Sequence, residues 1–123
     1  MSKKVLVIDD DPDVAETLGL RLESFGYEMI SASNGSEGLE RAKELKPDLI
    51  LLDFSIGSET GIDILKQLKR KTPLKIHNIP VLMLTGHEDQ EQPCLDAGAA
   101  GYITKPFDPF HLKETLSKFI TSE

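Results

Sequence analysis

Tryptophan is absent from this chain, cysteine occurs once, and no apolar run is long. The lone Cys94 cannot close an internal disulfide, so a small core or surface role is expected of it. No stretch approaches the ~18 consecutive apolar residues that a membrane span needs. The opening MSKKVLVI is interrupted too early for a secretory signal. A cytoplasmic location without a membrane partner is the simplest expectation. Basic charge is also short, because 14 Lys and Arg against 21 Asp and Glu leave a net charge of −7. Phosphate backbones call for a concentrated positive surface, so direct nucleic-acid binding by this domain is not expected. Three histidines, His77, His87 and His111, lack the spacing of a zinc site and are expected at the solvated surface.

What is present suits one domain, residues 1–123, with 39% hydrophobic residues to build a single core. Short apolar runs at 5–8, 29–32, 49–52, 81–84 and 101–103 read as strands, and three of them are apolar nearly throughout, as strands covered on both faces are. Between them Val14, Leu18, Leu22 and Phe25 recur at helical spacing, and Gly26 supplies a stop. Leu39, Ala42 and Leu45 follow, closed by Pro47, and Ile62, Leu65 and Leu68 make a third stripe. The segment 88–97 is the weakest helix, since Pro93 would delay or interrupt it. Asp108 and Pro109 read as N-cap and first-turn residue of a last helix carrying Leu112, Leu116 and Phe119 or Ile120. A strand–helix unit repeated about five times predicts an α/β fold, a parallel sheet with helices on both faces.

The polar residues fall where that architecture puts ligands. Four apolar residues run directly into Asp9, Asp10 and Asp11, although like charges this close repel. Asp53 follows the third strand in LILLDFS, Thr85 the fourth in VLMLTG, and Lys105 the fifth in YITKPF. In a parallel sheet these strand ends converge on one crevice. Asp11 is expected to serve as a loop or cap residue. The other carboxylates make sense as half of a Mg²⁺ site, since that ion takes one or two carboxylates plus waters and phosphate oxygens. Lys105 balances one carboxylate at rest and can hold an incoming anion, with Thr85 donating a hydroxyl. A carboxylate so placed is a competent nucleophile toward a phosphoryl group.

At this point the residues resemble a known family. VLVIDDDP, LILLDFS, VLMLTG, CLDAGAAGY and GYITKPF, in this order, resemble the receiver domain of two-component response regulators of the chemotaxis-regulator kind. The resemblance runs over essentially the whole chain. It implies a flavodoxin-like, doubly wound sheet of five strands in the order 2-1-3-4-5. It implies a single receiver domain that is a signalling module and not a metabolic enzyme, with phosphotransfer and dephosphorylation self-catalysed. Asp53 would accept the phosphoryl group. Asp10 would bind Mg²⁺ directly, Asp9 mainly through water, and the backbone carbonyl of Ser55 would be a further ligand, with Mn²⁺ as an admissible substitute. Lys105 would touch the phosphoryl oxygen, Thr85 would move toward it, and Tyr102 would be the aromatic switch that follows Thr85. Ser55 and His87 would stand at the positions that tune phosphoryl lifetime, and Gly86 would leave room for the group. The donor would be a phosphohistidine on a sensor histidine kinase or a histidine phosphotransfer protein. The output, a downstream effector or a second receiver, would bind the face formed by the fourth helix, fifth strand and fifth helix.

Two departures stand out. Gly57 sits where the family often has proline, which suggests a looser loop, and Pro93 suggests a short or irregular fourth helix. Lys69, Arg70 and Lys71 form a charge run expected at a solvated helix end. An aspartate-nucleophile phosphatase of the haloacid-dehalogenase type is the alternative. It would want an aspartate two residues after the nucleophile, where Ser55 stands. A flavin or nucleotide carrier would need a phosphate-cradling loop after the first strand, and DDDP repels phosphate without a metal.

Overall fold

A computed structural model describes residues 3–57, 59–70, 75–86 and 91–120, without the Glu59 side chain. Five parallel strands form the sheet: β1 (Lys4–Ile8), β2 (Glu28–Ala32), β3 (Leu49–Asp53), β4 (Val81–Thr85) and β5 (Gly101–Thr104). Their spatial order is β2-β1-β3-β4-β5, as the resemblance implies. The helices are α1 (Pro12–Ser24), α2 (Gly35–Leu45), α3 (Gly61–Leu68), α4 (Glu91–Asp96) and α5 (Pro109–Ser117).

Period-two alternation divides the core. Along β1, Leu6 and Ile8 pack with Ala42 of α2, Ile64 and Leu65 of α3 and Cys94 of α4. Val5 and Val7 point the other way, onto Leu18 and Leu22 of α1 and Leu112 and Leu116 of α5. β3 splits likewise, with Ile50 and Leu52 on the first face and Leu49 and Leu51 on the second. The three central strands are therefore buried, apart from Lys4 at the start of β1, while the edges β2 and β5 are half open. Each leucine removed from water in this way contributes roughly 1.5–3 kcal/mol.

Capping fixes the helix starts. Asp11 accepts from the Asp13 amide at 2.9 Å and Asp108 from the Phe110 amide at 2.9 Å, each with a proline in the first turn. Pro93 lies within α4 near its start, where its missing N–H costs little. The chain before Glu91 in this segment, with His87, lies outside the described residues.

Several details correct the sequence reading. Asp53 and Thr85 do not follow their strands but end them, paired with Leu84 and Thr104. The loop after β3 holds a short hairpin, in which Ser55–Ile56 pairs antiparallel with Glu59–Thr60. Leu45 is 38% exposed, and Ile120 rather than Phe119 is the buried end of the last stripe. Lys69 is not solvated: it caps α3 and its Nζ donates to the carbonyls of Ile79 at 2.7 Å and His77 at 3.2 Å. Burial pushes its ammonium pKa down. His77 is half-buried beside it, while His111 is exposed as expected.

Candidate functional site

The strand order reverses between β1 and β3, since the chain leaves β1 toward β2 and returns to β3 on its other side. That is where an open α/β sheet holds ligands. One residue past the paired Ile8 and Leu52, the two strands end side by side in Asp9 and Asp53. Both carboxylates are nearly buried, at 3% and 8% exposure, whereas Asp10 faces solvent.

Carboxylate oxygens of Asp9, Asp10 and Asp53 all lie within 4.8 Å of one another. Octahedral Mg²⁺ with oxygens at about 2.1 Å sets its ligand oxygens about 3.0 Å apart when adjacent and about 4.2 Å when opposite. Three carboxylates this close can be drawn onto one cation, and they are hard oxygen donors of the type that ion prefers. Asp9 is held by the Asp11 amide, which donates to its Oδ1 at 2.9 Å. Asp10 Oδ2 accepts from the Gly57 amide at 2.8 Å. Asp53 Oδ1 accepts a long bond, 3.5 Å, from the Ser55 amide.

Lys105 answers the charge. Its Nζ lies 3.1 Å from Asp53 Oδ1 and 3.4 Å from Asp9 Oδ2. Its backbone amide donates to the Thr85 carbonyl at 2.8 Å, which ties the loop after β5 to the end of β4. Burial, and then the charge of Asp9, push the Asp53 carboxyl pKa above the usual range, and Lys105 and the Ser55 amide only partly offset them. For Lys105, burial pulls the ammonium down, but the hydrogen bond and charge of Asp53, with those of Asp9, outweigh it and the pKa is raised. One ammonium therefore serves two nearly buried carboxylates. A further positive charge is what this pocket calls for.

Thr85 is fully buried at the end of β4, beside this cluster in the sheet order. Gly86 follows it with open space around its α-carbon, since an added Cβ would meet nothing within 4 Å. Tyr102 is half-buried on β5 and packs against the core face that carries Cys94 and Met83. Ser55 is exposed in the hairpin. Gly61 begins α3 so tightly against the Asp53 carbonyl that a side chain there would collide with it. An open groove of about 470 Å³, lined by Asp13, Val14, Thr17, Lys105, Pro106 and Phe107, adjoins the pocket. The bond between the Gly57 amide and Asp10 is the feature the sequence did not disclose, because it depends on a backbone donor and leaves no residue-type signal.

Comparison with known proteins agrees with this fold. Residues 5–117 match the family model described as the response regulator receiver domain. The chain is 40% identical over 111 residues to the alkaline phosphatase synthesis transcriptional regulatory protein PhoP of Bacillus subtilis, covering 89% of this chain and 45% of that one. It is 40% identical over 118 residues to the phosphate regulon transcriptional regulatory protein PhoB of Pseudomonas aeruginosa, covering 94% and 51%. The chain spans about half the length of these curated relatives. Among solved structures, the chemotaxis protein CheY4 of Vibrio cholerae superposes with a TM-score of 0.88 at 30% identity, covering 98% of this chain and 100% of that one.

Proposed function

The chain belongs to the response regulator receiver domain family of two-component signalling, and from that premise we propose that Asp53 accepts a phosphoryl group in a Mg²⁺-dependent reaction. The observation that carries this reading is the placement of Lys105 Nζ at 3.1 and 3.4 Å from Asp53 and Asp9, inside a cluster of three carboxylates. Asp53 Oδ attacks phosphorus. The new P–O bond forms as the P–N bond of a phosphohistidine breaks, and its electron pair leaves on the imidazole nitrogen. Asp9, Asp10 and Asp53, with the Ser55 carbonyl, would hold the cation, which would neutralise charge on the transferring oxygens. Lys105 leaves its resting carboxylate partner and pairs with a phosphoryl oxygen. Mn²⁺ fits the same oxygen donors.

The added charge is the signal. Thr85 donates its hydroxyl to the phosphoryl group, and Tyr102 packs inward in the space Thr85 vacates. The two together bias the surface made by α4, β5 and α5 between two arrangements. A sensor histidine kinase or histidine phosphotransfer protein is the donor, and an effector or a second receiver reads the surface. The domain acts in the cytoplasm as a self-catalysing acceptor, and no described helix is long and apolar enough to cross a membrane. Ser55, two residues after Asp53, is no general acid, which disfavours the phosphatase alternative. Ser55 and His87 set the access of hydrolytic water, although His87 lies outside the described residues.

Incubation with acetyl phosphate and Mg²⁺, followed by intact mass spectrometry, tests the proposal. One phosphoryl adduct is expected, lost with chelator and in Asp53→Ala. An adduct that survives Asp53→Ala would place the chemistry elsewhere.

A further inference from the structure

Gly57 has a backbone conformation and a contact that belong together. Its φ is +58°, a region that proline cannot reach and that most side chains avoid. Its N–H donates to Asp10 Oδ2 at 2.8 Å across 47 residues of chain. Asp10 is the exposed carboxylate of the cluster. Asp9 is fixed by the Asp11 amide and Lys105, and Asp53 by Lys105. The Gly57 amide is therefore what ties Asp10 down among the described residues, and it comes from the hairpin that directly follows Asp53.

We propose that the Gly57 backbone amide is a positioning donor for the Mg²⁺ site, holding Asp10 by one oxygen so that the other is presented to the cation. This rests on the functional reading above. The donor acts through Asp10 and touches neither cation nor phosphoryl group. It also ties the site to the loop that carries Gly57. Hydrogen-bond partners of metal-ligating carboxylates typically carry 10–100-fold in metal affinity. A glycine at this position supplies an N–H that a proline would not offer to Asp10.

Calorimetric Mg²⁺ titration of wild type, Gly57→Pro and Gly57→Asn tests this. Asparagine tolerates positive φ and keeps the N–H. Gly57→Pro is expected to bind Mg²⁺ about ten-fold more weakly, and Gly57→Asn within a factor of about two of wild type. Equal affinity in Gly57→Pro, or an equal loss in Gly57→Asn, would overturn the proposal. Should Gly57→Pro not fold, the wild type decides by NMR: a through-hydrogen-bond coupling between Gly57 ¹⁵N and Asp10 ¹³Cγ, persisting with Mg²⁺, is expected. Its absence in the Mg²⁺-loaded protein overturns the positioning role. Wild-type protein that shows no Mg²⁺ binding refutes the functional reading itself, a result distinct from binding that is indifferent to position 57.

Discussion

Replacing Lys105 with methionine keeps the length of the side chain and removes its charge. In the wild type Nζ lies 3.1 Å from Asp53 Oδ1 and 3.4 Å from Asp9 Oδ2, with the side chain 26% exposed. At an effective dielectric near 20 each contact supplies about 5 kcal/mol of gross attraction. Much of that offsets the desolvation of three charges, so the net loss expected for Lys105→Met is about 3 kcal/mol, as for breaking other buried pairs. The sign with pH follows from the pKa directions. The attraction needs ionised Asp53, whose pKa is raised, so it is lost as pH falls through that raised value. Lys105, also raised, makes its full contribution below the ordinary value of about 10.4 and loses it as pH rises from there through the higher folded pKa. Urea unfolding followed by far-ultraviolet circular dichroism in EDTA should show the full gap at about pH 7.5 and a smaller one at about pH 4. Saturating Mg²⁺ should narrow the gap at the higher pH, because the cation replaces the missing charge. A gap of the same size at both pH values would refute the electrostatic reasoning, and so would no gap at all.

Asp53→Asn should stabilise the metal-free protein at neutral pH, and the gain should vanish as pH falls below the ordinary carboxylate pKa of about 3.9, because the raised Asp53 pKa makes its ionisation a cost to folding; thermal melts across pH check this. Thr85→Ala should still take the phosphoryl group yet lose the beryllofluoride-induced shift of the Tyr102 amide in NMR spectra, whereas a full shift would remove Thr85 from the switch. Leu51→Ala, at a fully buried position between α1 and α5, should cost about 2–5 kcal/mol in urea unfolding without changing Mg²⁺ affinity.

The parts of the molecule that were legible in the sequence are those where residue type carries the constraint. β1, β3 and β4 read as strands because both their faces are buried, which forces unbroken apolar runs. Asp11 and Asp108 read as caps because a carboxylate before a proline is the chemistry a helix start uses. Asp9, Asp10, Asp53, Thr85 and Lys105 could be listed from strand ends, and the structure draws the three carboxylates and the ammonium together. What escaped depends on backbone or on distant partners. Lys69 looked like part of a solvated run because its carbonyl partners, on His77 and Ile79, are placed by a turn without periodicity. Tyr27 is buried at 4% with its hydroxyl donating to the Ile120 carbonyl at 3.4 Å, a long-range contact that local pattern does not encode. The Gly57 amide bond to Asp10 belongs to the same class, because a glycine announces freedom and not the contact it makes.

Paramagnetic relaxation by Mn²⁺ tests most directly whether one cation sits among these carboxylates. At substoichiometric Mn²⁺, amide signals of residues 9–11, 53–55 and 57 should broaden first, those at the C-terminal end of α2 should stay sharp, and excess Mg²⁺ should reverse the effect. Broadening centred instead on the acidic surface of α2, at Glu37, Glu40 and Glu44, or unaltered in Asp53→Asn, would contradict a shared site between β1 and β3.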